Sequence, residues 1–187
     1  MLTQQENTGF LGTNGRKLRR LVLPVRVRPI RPSDAAGLQA GFEELSETSR
    51  YYRFHSGMRR LPESLLRYFT EVDGIDHVAL VAFEVGESDL SRGVGVARFV
   101  RDPSAPTTAE LAVTVLDRAQ GRGVARRLLA ELGEAARARG IESFKMTVIA
   151  GNLRARRLIT SLGAAAQGSV ADVMTFHLPV TAVALAA

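Results

Sequence analysis

The sequence predicts an α+β fold: a mixed, mainly antiparallel central sheet that contains one parallel βαβ unit and carries helices on both faces. Three observations lead to it. Residues 77–85, 93–100 and 111–116 are β-rich and separated by turn signals at 86–89 and 102–106, the spacing of an antiparallel meander. After Gly123 the period changes, with Val124, Leu128, Leu132 and Ala135 forming one helical stripe that runs to a glycine stop near Gly140. Residues 143–149 then return to strand, and two strands joined through a long helix run parallel with a right-handed crossover.

The remaining elements follow in order. Residues 25–30 alternate with period 2, as a half-buried strand should, and Pro32 with Ser33 marks a helix start. That helix is expected from 34 to about 47, with Leu38, Phe42 and Leu45 as its apolar stripe. A second helical stretch covers 50–55, and a third opens at Pro62 with Leu65, Leu66 and Phe69 on one face. Beyond the βαβ unit, a helix over 153–162 packs Ala155, Leu158, Ile159 and Leu162 and closes at Gly163, and 170–178 finishes as strand. The organisation is a flexible basic tail over 1–24, one domain over 25–180 and a C-terminal tail over 181–187.

Composition narrows the function. The chain has 187 residues, 45% hydrophobic and 24% charged, which suits one domain with a substantial core. Its net charge of +6 suits an anionic ligand and is too small to establish nucleic-acid binding, and no aromatic base-stacking pattern accompanies it. Cysteine is absent, which excludes a cysteine nucleophile, a disulfide framework and a thiolate zinc site. No pair of His stands at ligand spacing, so no metal is expected, and His55 and His177 read as structural. The longest apolar runs, 78–83 and 178–187, are well short of a bilayer span, and a cytoplasmic location is expected.

The most informative segment is Gln120-Gly121-Arg122-Gly123-Val124-Ala125, directly after a strand and opening a helix. A helix start leaves its first N–H groups unpaired and carries about half a positive charge, so main chain alone can bind phosphate oxygens. Gly121 and Gly123 permit φ > 0 and close approach of a ligand, while Arg122, Arg126 and Arg127 add positive field. No Lys-Ser or Lys-Thr follows a glycine in P-loop spacing, and Gly93-Val94-Gly95 sits within a strand, so ATP hydrolysis and Rossmann-type dinucleotide binding are disfavoured.

In these residues the chain resembles the GNAT superfamily of acyl-CoA-dependent N-acyltransferases, whose diphosphate loop reads Gln/Arg-x-x-Gly-x-Gly/Ala, and the resemblance covers about residues 25–180. Asn152-Leu153-Arg154-Ala155, followed by Leu158 and Leu162-Gly163, is similar to that superfamily's Asn-x-x-Ala signature, with Ile159 and Ala164 where Tyr and Phe are usual. The resemblance implies acetyl-CoA as acyl donor, its pantetheine arm against the backbone of Val113, Thr114 and Val115, its diphosphate on Gln120, Gly121, Arg122, Gly123, Val124, Ala125 and Arg126, and Asn152 beside them. The chemistry needs a neutral amine, yet a lysine with pKa near 10.4 is neutral in only on the order of one molecule in a thousand at pH 7. A proton acceptor is therefore useful, and Glu110, at the start of the strand before the loop, is the candidate, with His77 in reserve.

Residues 45–54 and 70–80 further resemble the acetyltransferase domain of the Pat-type bacterial protein lysine acetyltransferases, which implies Arg50, Tyr51, Arg53, Asp73 and His77 on the acceptor side. With 24 residues ahead of the domain, the catalytic module alone is expected. The expected partners are an acyl-CoA and an amine, from a protein lysine or from a small molecule; a homodimer is compatible, and neither a specific nucleic acid nor a membrane is expected. A non-catalytic acyl-CoA sensor is the alternative that Ile159 favours.

Overall fold

The computed structural model describes residues 24–85 and 93–184. The turn expected at 86–89 and, apart from Pro24, the expected basic tail lie outside the described residues. The elements run β1 (Val25–Pro29), α1 (Ala35–Glu44), α2 (Glu47–Phe54), α3 (Glu63–Thr70), β2 (His77–Glu84), β3 (Gly93–Asp102), β4 (Ala105–Val115), α4 (Val124–Arg137), β5 (Ser143–Ile149), α5 (Leu153–Ser161), β6 (Ala165–Val170), β7 (Val173–Pro179) and α6 (Val180–Ala184). The sheet has seven strands in the order β1-β2-β3-β4-β5-β7-β6. Every neighbouring pair is antiparallel except β4 and β5. This is the mixed sheet with one parallel unit that the spacing predicts.

Period-2 alternation assigns the two faces. Val78, Leu80 and Ala82 of β2 point with Ala97 and Phe99 of β3 toward α4, whose buried stripe includes Val124, Leu128 and Leu132. Ala79 and Val81 point the other way, with Ile30 and Val96. That second face is roofed by α1, and Phe42, Leu45, Leu61 and Phe69 join Leu116 in an apolar cluster of their own. Among the described residues no helix is long and apolar enough to cross a membrane.

Three expectations need correction. A single helix over 34–47 does not form: Leu45 is extended at ψ 139°, and the Ser46 hydroxyl accepts from the Ser49 N–H at 3.1 Å, starting α2 afresh. A serine that captures an N–H in this way ends one helix as it caps the next. Strand β6 went unforeseen because all of its residues are exposed, so no alternation marks it; the expected strand over 170–178 is the end of β6, a two-residue turn and β7. The segment expected as a tail from 181 continues instead as α6, with Val180 1% and Val183 0% exposed in the main core.

The feature that shapes the rest is how briefly β4 and β5 pair. Their register is Thr108 with Ser143, Ala109 with Phe144 and Glu110 with Lys145, and it stops there. On its other side β4 stays paired with β3 as far as Val115 opposite Gly95. One edge of β4 is thus unpaired by strand from Leu111 onward. Gly95 lets this portion lie close to α4: a Cβ there would meet the Thr114 carbonyl oxygen at 3.0 Å, Leu128 Cδ1 at 3.1 Å and Val115 Cγ2 at 3.2 Å. Gly95→Ala is expected to lower stability in urea denaturation by about 1–3 kcal/mol through overpacking; an unchanged midpoint would contradict this packing.

Candidate functional site

The open edge of β4 forms one wall of a cleft of about 870 Å³, with Met146, Thr147 and Val148 of β5 opposite and α2 and α5 over its mouth. Val113, Thr114 and Val115 line it, as the sequence leads one to expect. Glu110 lines it too, exposed, at the last paired position before the strands part.

At the end of β4 a turn of 3-10 helix over Asp117–Ala119 carries the chain to the loop. Gly121 has φ 70° and Gly123 φ 86°, the left-handed region that glycine enters without a steric cost. Gly123 is the N-cap of α4 and offers no side-chain acceptor, so the leading N–H groups of that helix are left for another partner. Gln120, Gly121, Gly123, Val124, Ala125 and Arg126 all line the cleft, whereas Arg122 does not. The Gln120 side chain is engaged already: its Nε2 donates to the Val115 carbonyl at 2.9 Å, and its Oε1 accepts from Arg154. This amide braces the loop against both walls. Arg126 donates to Ser161 Oγ at 2.6 Å, tying the start of α4 to the end of α5. Asn152 is the N-cap of α5, its Oδ1 accepting from the Ala155 N–H at 3.1 Å, which gives the Asn-x-x-Ala spacing a physical reason. Ile159, where a tyrosine is usual, is 3% exposed and forms apolar wall.

Of the residues expected on the acceptor side, the structure brings Arg53 to the cleft and not the other four. Arg50 stacks its guanidinium 5.8 Å from the Phe42 ring, and Tyr51 is exposed. Asp73 organises the turn before β2: its Oδ1 accepts from the N–H groups of Ile75, Asp76 and His77 at 2.7, 2.9 and 2.9 Å. Those bonds hold the Asp73 carboxyl below the usual carboxylate range, with His77 N–H the leading cause. The His77 ring lies 4.8 Å from that of Tyr68, and its Nε2 is 3.2 Å from Arg98 Nη1. Burial, then the charge of Arg98, pushes the imidazole below its ordinary pKa against the pull of Asp73. The neutral ring can accept from Arg98.

One cleft residue, Asp117, escaped the sequence reading. Asp117 accepts from the Ser46 N–H at 3.0 Å and from the hydroxyls of Ser46 and Ser49 at 3.1 and 2.8 Å, locking the start of α2 to the end of β4. Desolvation acts to raise its carboxyl, and these bonds together outweigh it and leave the pKa lowered. Tyr52 reaches from α2 across the mouth and donates to the Gly151 carbonyl at 3.1 Å. The Ser46-x-x-Ser49 cap was the available local signal; partners about seventy residues apart in sequence leave none.

Comparison with known proteins agrees with this geometry. Residues 40–164 match the Acetyltransferase (GNAT) family. The acetyltransferase Pat of Mycolicibacterium smegmatis is 36% identical over 138 residues, which are 74% of this chain and 40% of that protein; the chain thus spans well under half the length of this relative. The GNAT domain of S. lividans PAT superposes with a TM-score of 0.76 at 31% identity, covering 83% of this chain and 90% of that one. A putative acetyltransferase from Salmonella typhimurium, solved with its cofactor acetyl-CoA, shares the fold with a TM-score of 0.67 at 20% identity, over 83% of this chain and 94% of that one.

Two outcomes test this description. Gly123→Ala forces a Cβ into a left-handed cap at a strain of about 1–2 kcal/mol, and calorimetry should show roughly tenfold weaker binding of coenzyme A with the fold kept; unchanged affinity would remove the loop from the site. Because His77 holds a proton less readily folded than unfolded, its contribution to stability should be level above about pH 6.5 and fall as pH drops from there toward the lower folded value. Denaturant titrations of His77→Gln between pH 7.5 and 5.5 should show a shallower decline than the parent; an identical slope would refute the linkage.

Proposed function

Because the chain belongs to the acetyltransferase (GNAT) family, whose acyl donor is acetyl-CoA, we propose that it transfers an acetyl group to the ε-amine of a protein lysine by direct attack in a ternary complex. The observation that carries this reading is the parting of β4 from β5 just beyond Glu110, which sets a carboxylate, an open strand edge and an unfilled helix N-terminus along one cleft.

The residues present fit such a donor. The free edge of β4 around Val113 and Thr114 can take an extended amide-bearing arm as a sheet takes an added strand. Gly121, Gly123 and the first N–H groups of α4 face the same cleft and suit a diphosphate, and Arg126 adds charge beside them. In this reading Gln120 and Asn152 shape the loop and the start of α5, since both side chains are bonded to protein. Bound there, acetyl-CoA supplies a thioester carbon to be attacked and a sulfur that leaves. Glu110 takes the proton that the amine must lose, directly or through a water, while the new C–N bond forms and the C–S bond breaks. A thiol with pKa near 8.5 leaves without a strong acid, so Ile159 in the wall does not block turnover. Tyr52, whose hydroxyl is given to Gly151, serves to join α2 to the far wall.

The protein-lysine acceptor is supported by the Pat likeness at 36% and 31% identity, and a cytoplasmic location by the absence of cysteine. Incubation with labelled acetyl-CoA and a lysine-bearing protein panel, set against polyamines and aminoglycosides, should label protein; label on small amines alone would overturn the acceptor. Glu110→Gln should lower kcat by about 10²–10³ and leave acetyl-CoA affinity within about threefold, whereas unchanged turnover would remove Glu110 from the mechanism.

A further inference from the structure

Beneath α1, on the sheet face opposite α4, lies a second cavity of about 360 Å³. Its walls are mostly apolar, with Leu38, Phe42, Leu45, Phe69 and Val96 among them. It shares Arg53, Phe54, Ala112 and Thr114 with the cleft just described, so the two spaces adjoin.

Its charges are unbalanced. Two acids line it, and both are bonded: Asp34 to Arg28 at 2.8 Å, and Glu44 to Arg118 at 2.6 Å. Two arginines line it as well, and among the described residues neither has a carboxylate within ion-pair distance. Arg98 is 6% exposed, its guanidinium 4.1 Å over the Phe69 ring and its Nη1 3.2 Å from His77 Nε2. Arg53 lies 5.9 Å from the same ring, and Glu110 attracts it from beyond contact range. Burial, with Arg53 adding to it, pushes Arg98 down to about 9. Buried charges in proteins are ordinarily paired, and a guanidinium beside a second cation in an apolar wall lacks the partner that would offset its desolvation. Backbone register puts Arg98 opposite Ala112, one of the shared walls.

We propose that this cavity is a carboxylate subsite: it takes a substrate group whose short apolar chain ends in a carboxylate, with Arg98 and Arg53 as counter-ions and the apolar wall around the chain. The inference rests on the reading of the neighbouring cleft as the acyl-CoA site. Such a group could belong to the donor, as the far carboxylate of a dicarboxylic acyl-CoA, or to a small amine acceptor.

Both sources are tested with matched pairs. Calorimetry compares succinyl-CoA with butyryl-CoA, which differ by a carboxylate in place of a methyl group. Initial rates with acetyl-CoA compare 6-aminohexanoate with hexylamine. In one pair the carboxylate member should be favoured about tenfold or more, as a charge-assisted pair in a dry site requires. Arg98→Met should abolish that preference while Arg98→Lys keeps part of it. Equal values within both pairs in the parent protein, or a preference that survives Arg98→Met, would overturn the subsite. Failure of both coenzyme A esters to bind would instead count against the acyl-CoA cleft itself.

Discussion

Two parallel strands that pair for three residues and then separate are the constraint from which the rest of this molecule follows. An unpaired strand edge inside a protein is an expense unless another group satisfies it. Here the edge faces a cleft instead of a neighbour, and the loop beyond it turns through two left-handed glycines into a helix whose first amides are also unfilled. Both sets of groups are main chain, and both suit an extended anionic ligand. The chain fixes them with side-chain bonds: Gln120 to Val115 and Arg154, Arg126 to Ser161, Asp117 to Ser46 and Ser49.

The two layers of helix divide the work. Helix α4 buries a stripe against β2, β3 and β4 and sets the position of the loop, with α6 completing the core beside it. On the opposite face α1, α2 and α3 pack less completely, around Phe42, Phe54 and Phe69. Incomplete packing there leaves the apolar cavity, and arginines from α2 and β3 sit in its wall. The α4 face sets the position of the loop, and the opposite face holds the second cavity.

Much of this was legible in the residues, for reasons that can be named. Helix α4 buries one face only, so period 3.6 stands out in the sequence, and β2, covered on both faces, stands out as a continuous apolar run. Glycines at 121 and 123 mark the loop because few other residues adopt its backbone. What escaped has a physical cause as well. Strand β6 is exposed along its whole length and carries no alternation, and α6 is too short to show a period. Ser46 breaks a helix that its apolar spacing would have continued, a local hydrogen bond outweighing periodicity. The contacts that build the cleft mouth, Asp117 to α2 and Tyr52 to Gly151, join distant stretches of chain and leave no mark in either. Resemblance places Asp73 and His77 on the acceptor side, and the structure gives them a turn and an arginine to hold.

In the proposed reading, main-chain groups of β4 and the α4 N-terminus together receive the donor. Backbone amide chemical shifts followed through a titration with coenzyme A read those groups directly. The largest changes are expected at 113–115 and 121–126, with the β6–β7 hairpin and β1 undisturbed. Saturable binding that leaves the amides of 121–126 unmoved would contradict it.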